Sequence, residues 1–182
     1  MYGMINQAVK HLVVERFGAN TWGKIRAAAG VEDDAFLAME QYPDELTYRL
    51  VQVSSEILEI PATEVLEAFG AHWIEYTSEA GYGELLDGAG ANLEECLHNL
   101  DQLHTRVRLG MPHLAPPSFE VENDGGGVFL LHYFSHREGL AHLVVGLVRG
   151  LAERLGEQIE IEQIESRANG DENDTFRISI AN

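Results

Sequence analysis

Apolar residues in the first two thirds of the chain recur with a helical period. Ile5, Ala8, Val9, Leu12 and Val13 fall on one face, and Gly18 closes that stripe. Thr21 to Ala29 predicts a short second helix ending at Gly30, and Leu46, Leu50, Val51, Ile57 and Leu58 mark a third beyond an acidic loop. Pro61 sits where proline suits a first helical turn, ahead of an apolar face made of Val65, Leu66, Phe69, Trp73 and Ile74. Gly81, Gly83, Gly88 and Gly90 punctuate a connecting region. Asn92 then reads as an N-cap, with Glu94 and Glu95 near the positive end of a helix that runs to about Leu109.

The period changes in the last third. Ser118 to Asn123 and Val128 to Phe134 are extended runs on either side of Asp124-Gly125-Gly126-Gly127, a hairpin signal. Arg137 to Leu155 returns to a helical stripe through Leu140, Leu143, Val144, Leu147 and Leu151. Ile159, Ile161 and Ile164, then Phe176, Ile178 and Ile180, give two more strands around the polar turn Ala168 to Asp174. The order strand, strand, helix, strand, strand predicts an α+β fold: helices over the first two thirds, packed with a four-stranded antiparallel sheet plus helix at the C-terminus. With no internal repeat and no linker, residues 1–182 read as a single domain, in which a helical subdomain of about residues 1–60 precedes a second of about 61–182.

Charge narrows the partners. Twelve Lys plus Arg against 30 Asp plus Glu give a net −18 over 182 residues, so the chain has no cation surplus for a nucleic-acid backbone and is repelled by an anionic membrane surface. The longest apolar stretch, Leu140 to Val148, is interrupted by His142 and Gly146, and the first residues lack a secretory start. The lone Cys96 fits a reducing compartment, and no basic neighbour activates it. A cytoplasmic protein is expected.

Two constellations could carry chemistry. Leu93, Leu97, Leu100, His104 and Val107 share one helical face, which places an imidazole among leucines on a surface expected to be buried. Such a residue is either a core histidine satisfied by a backbone carbonyl or the proximal ligand of a haem iron. Tyr133, Ser135 and Arg137 alternate along the end of a strand, so two hydroxyls and a guanidinium share a face. That array is either an exposed strand end or a set of donors for carboxylates or phosphate. His132 and His136 would be about 13 Å apart on a strand, too far for a metal pair. A glycine-rich phosphate loop, an HExxH helix and a nucleophile elbow are all absent.

Taken in order, these pieces resemble the haem nitric oxide/oxygen binding (H-NOX) family, which includes the haem domain of soluble guanylate cyclase. The tyrosine-x-serine-x-arginine signature stands here as Tyr133, Ser135 and Arg137, and the proximal histidine as His104 within Asn99-Leu100-Asp101-Gln102-Leu103-His104. Pro116-Pro117, the opening Met1-Tyr2-Gly3-Met4-Ile5-Asn6 and the segment Tyr76 to Gly83 match as well, so the likeness spans essentially the whole chain. It is similar above all to stand-alone cyanobacterial members.

The resemblance implies haem b (iron protoporphyrin IX), held mostly by the C-terminal subdomain. It implies His104 on ferrous iron with Leu103 beside it, the haem propionates on Tyr133, Ser135 and Arg137, and Pro117 distorting the porphyrin. Members that bind oxygen stably carry a distal tyrosine on the helix after the signature, and residues 137–146 contain none. Either His142 or Leu143 takes that position. Helical phase groups Leu143 with Leu140, Leu147 and Leu151, and His142 with Glu138, Arg149 and Glu153, which favours Leu143 for the pocket. Ile5, Trp73 and Leu147 complete the expected wall, with Trp73 either a core aromatic or an indole donor. The expected function is a sensor of nitric oxide and carbon monoxide with weak or no oxygen binding. It is not an enzyme, and it signals in trans to a histidine kinase or diguanylate cyclase. The alternative is a haem protein that scavenges or stores nitric oxide.

Overall fold

The computed structural model describes residues 1–181. Helices α1 (Gly3–Phe17), α2 (Ala19–Ala28), α3 (Asp44–Leu58) and α4 (Ala62–Thr77) follow the predicted stripes. Gly18 separates the first two at φ 84, a conformation that costs little without a Cβ. Helices α5 (Gly83–Asp87), α6 (Leu93–His98) and α7 (Leu100–Gly110) lead into the hairpin β1 (Ser118–Gly125) and β2 (Val128–Phe134). Helix α8 (Ala141–Leu155) and strands β3 (Ile159–Glu165) and β4 (Asp174–Ile180) complete the chain. The four strands form one antiparallel sheet in the order β1-β2-β4-β3. The fold is α+β, as the pattern predicts. Among the described residues no helix is long and apolar enough to cross a membrane.

Three local expectations are corrected. The glycine-rich connection after α4 stays largely helical, through a π-helical turn at Ser78–Tyr82 that Gly81 interrupts at φ 99, followed by α5. The single helix expected from Asn92 to Leu109 is two. Asn92 does cap α6, its side chain accepting from the Glu95 N–H at 2.9 Å. The axis then breaks at Asn99, whose side-chain amide donates to the Ala89 carbonyl at 2.8 Å. A short polar side chain that binds nearby backbone competes with helix continuation. The helix expected from Arg137 starts at Ala141 instead, because the chain bends through Ser135 to Gly139, with Gly139 at φ 73.

Among the described residues, the two largest of four apolar clusters hold most of the molecule together. Leu12, Ile25, Leu50 and Phe69 belong to one, between α1, α2, α3 and α4. The other joins Leu93 and Leu97 of α6, Val144, Val148 and Leu151 of α8, and the sheet face formed by Leu131, Tyr133, Phe176 and Ile178. Helices α4 and α8 lie closely against one another, with Gly70, Gly146 and Gly150 at the contact.

Candidate ligand pocket

A cavity of about 520 Å³ opens among α1, α3, α4, α7, α8 and β2, within the size range of small-molecule and cofactor sites. Ile5, Trp73, Leu103, His104, Pro117, Tyr133, Ser135, Arg137, Leu143 and Leu147 all line it. Its wall is largely apolar, with a polar cluster at Asp44, Ser135 and Arg137.

His104 stands on α7, and here the structure departs from the expectation of a buried leucine face. Leu93 and Leu97 are buried at 0% and 1% exposure, but α7 has no fully buried residue. Leu100, Leu103, His104 and Val107 line the cavity instead. An apolar face that looks into a cavity carries the same composition as one packed on protein. No carbonyl satisfies the imidazole: His104 Nδ1 is buried without a hydrogen-bond partner. Burial pushes the ring below the ordinary histidine range, against the pull of the Asp101 carboxylate, and so holds it neutral. Its ring stacks on Phe119 with centroids 6.0 Å apart and planes at 28°.

The Tyr133, Ser135 and Arg137 array forms partly by strand alternation and partly by the bend that follows. Tyr133 is inward on β2 at 3% exposure, and burial pushes its phenol upward. Ser135 and Arg137 lie past the strand end, where Ser135 Oγ accepts the Arg137 backbone N–H at 3.1 Å. Arg137 Nε donates to Asp44 at 2.6 Å and Nη1 donates to the Ala115 carbonyl at 2.8 Å. Asp44, at the start of α3, also receives the chain's terminal ammonium. Burial pushes its carboxyl up, but Arg137 and that ammonium overcome the effect and hold it below the usual carboxylate range. Asp44 escaped the sequence reading, since its partner is 93 positions away and no local pattern signals the pair.

Leu143 lines the cavity and His142 does not. His142 Nδ1 instead meets Glu67 at 2.8 Å. Trp73 lies edge-on to Phe69, centroids 6.2 Å apart, and stacks on Tyr76 at 6.4 Å. His132 and His136 do not converge: His132 bonds Thr175 Oγ1 at 3.0 Å, and His136 is exposed. Cys96 is buried, and burial pushes its thiol up, away from reactivity.

Comparison with known proteins bears on the family and the fold. The sequence model of the Haem-NO-binding family, HNOB, matches residues 2–163. Soluble guanylate cyclase gcy-32 of Caenorhabditis elegans is 35% identical over 158 residues, which is 85% of this chain and 23% of that protein. Gcy-35 of the same organism is 33% identical over 173 residues, 92% of this chain and 25% of that protein. The chain thus spans roughly a quarter of the length of these relatives. The H-NOX protein from S. oneidensis, solved in the Fe(II)NO ligation state, superposes with TM-score 0.90 over the whole of both chains at 20% identity. The Fe(II) unliganded H-NOX protein from K. algicida does so with TM-score 0.84 at 22% identity, covering 100% of this chain and 97% of that one.

Proposed function

The chain belongs to the Haem-NO-binding family of haem-binding gas-sensor domains, and from that premise we propose that it senses nitric oxide and carbon monoxide at ferrous haem b, with His104 as the proximal ligand. The observation that carries this reading is an imidazole in the wall of a mostly apolar cavity whose Nδ1 is buried without a hydrogen-bond partner. The rest of the wall fits the same group. Bound there, iron protoporphyrin IX supplies a coordination position for diatomic gases and two carboxylates that require donors.

This chain's residues do the remaining work. Tyr133, Ser135 and Arg137 donate to the carboxylates, and the Arg137 guanidinium is already aimed by Asp44 and the Ala115 carbonyl. Pro117 presses on the macrocycle, and Leu103 packs beside it. Ile5, Leu143 and Leu147 bring no hydrogen-bond donor to the distal wall, and Trp73 beside them carries an indole N–H. The helix that carries Leu143 and Leu147 offers no tyrosine hydroxyl and so gives oxygen little help, while nitric oxide and carbon monoxide need less. Signalling runs through the mounting of His104, because α7 touches α6 and β1 rather than a core of its own, and a shift of that helix is read by a histidine kinase or diguanylate cyclase in trans. The net charge of −18 selects a basic face on such a partner. The cytoplasm is the proposed setting.

Absorption spectra of the reduced, purified protein test the reading. Distinct new bands are expected with nitric oxide and with carbon monoxide, and none with air. A protein that stays colourless when supplied with haemin would end it, and rapid oxidation in air would favour nitric oxide removal instead. Leu143→Tyr adds a hydroxyl donor to the wall and is expected to create oxygen affinity visible in the same spectra. An unaltered response to oxygen would show that position 143 does not reach the bound gas.

A further inference from the structure

Away from the cavity, α1 and α4 bring together three side chains that the gas-sensing reading leaves unused. His11 and Glu15, one turn apart on α1, meet His72 of α4, and one ligand atom from each lies within 4.8 Å of the others. None of the three lines the cavity. His11 Nδ1 and His72 Nε2 are 3.0 Å apart, and the rings stack with centroids at 5.1 Å and planes at 17°. Glu15 Oε2 stands 3.6 Å from His72 Nδ1 and 4.0 Å from His11 Nδ1, and Glu75 Oε2 stands 3.7 Å from His72 Nδ1.

The second observation is the state of His72. Its side chain is 1% exposed, yet Nδ1 has no hydrogen-bond partner, because both nearby carboxylates stand too far off. A buried nitrogen in that condition is costly unless a nearby group is drawn in to bond to it.

We propose that His11, Glu15 and His72 bind a divalent transition-metal ion of the zinc class, which clips α1 to α4. Two imidazoles and one carboxylate make a donor set of borderline softness suited to zinc. Tetrahedral bonds of the usual zinc–nitrogen length set ligand nitrogens about 3.3 Å apart, close to the 3.0 Å between His11 Nδ1 and His72 Nε2, so His72 ligates through Nε2 and its orphaned Nδ1 keeps the ring proton, facing Glu15 and Glu75. Water or Glu75 completes the coordination, and a carboxylate that does not ligate can orient the His72 ring. The clip joins the helices that carry Ile5 and Trp73, two residues of the cavity wall, and so stiffens that wall from outside.

Zinc chloride titrated into the purified holoprotein, with a competing chromophoric chelator, tests the site. One ion per chain is expected, with affinity reduced about 100-fold or more in His11→Ala and in Glu15→Gln. His98→Ala, which removes an exposed imidazole elsewhere, is expected to change nothing. Zinc at a hundred times its Kd is expected to raise the melting midpoint by roughly 5–10 °C in the parent and not in His11→Ala. His11 and Glu15 are about half exposed, so these variants keep the fold and the comparison stays clean. Absence of saturable binding at micromolar zinc, or binding that survives both substitutions, would overturn the proposal.

Discussion

His104→Ala is expected to abolish retention of ferrous haem while leaving the polypeptide folded. The two effects separate because of where the residue sits. Helix α7 contributes no fully buried side chain, so removing the imidazole opens no packed core. It also removes a buried nitrogen that has no partner, which lowers a cost rather than adding one. The melting midpoint of the haem-free polypeptide should therefore change by no more than about 2–4 °C, as for substitutions worth near 1 kcal/mol in a domain of this size. The spectrum should change completely. Haem content after gel filtration should fall to near zero, and free imidazole at millimolar concentration should restore a histidine-type ferrous spectrum by entering the space the side chain left. A histidine with only a packing role would behave in the opposite way, lowering the midpoint and sparing the spectrum. A variant with the parent's spectrum would mean that another side chain holds the iron.

What could be read from the sequence followed from how each surface is used. Helices α1, α3, α4 and α8 pack much of their apolar stripes on protein, so period places them, even though Ile5, Trp73, Leu143 and Leu147 on those stripes line the cavity. The strands reveal themselves by alternation that the sheet then uses, with Leu131 and Tyr133 turned inward. Spacing alone left Tyr133, Ser135 and Arg137 and the leucine-flanked His104 open to two readings each, and the family resemblance joined them into one site. Periodicity cannot distinguish a face pressed on protein from one that lines a cavity, which is why α7 looked like core. The break at Asn99 depends on a bond to Ala89 ten positions earlier. The pairing of Asp44 with Arg137 and the meeting of His11 with His72 join elements far apart in the chain, and no local pattern encodes either. Glycine was the most misleading residue. Gly146 reads as an interruption of an apolar run, whereas in the fold it is the point at which two helices touch.

Gly146→Ala is expected to lower stability by about 3 kcal/mol, the upper end of the usual cost of overpacking. A Cβ at this position would stand 2.8 Å from the carbonyl carbon of Glu67 and 2.9 Å from its Cα. Both are backbone atoms of α4, so no side chain can swing aside. Gly70 presents the same obstacle from the other helix, its added Cβ falling 2.6 Å from the Leu147 nitrogen, and Gly150 repeats it 2.9 Å from the Ala71 carbonyl oxygen. The helices would have to part, and α8 carries Val144, Val148 and Leu151 into one core as well as Leu143 and Leu147 into the cavity. Alanine's better helix propensity, worth about 0.8–1 kcal/mol, is too small to offset that separation. Gly23→Ala isolates the propensity alone, because Gly23 is exposed in α2 and an added Cβ there meets nothing within 4 Å. Thermal denaturation should show Gly23→Ala melting slightly above the parent and Gly146→Ala roughly 6–12 °C below it. Equal midpoints for Gly146→Ala and the parent would mean that α4 and α8 do not meet backbone to backbone, and the placement of Leu143 in the pocket wall would lose its support.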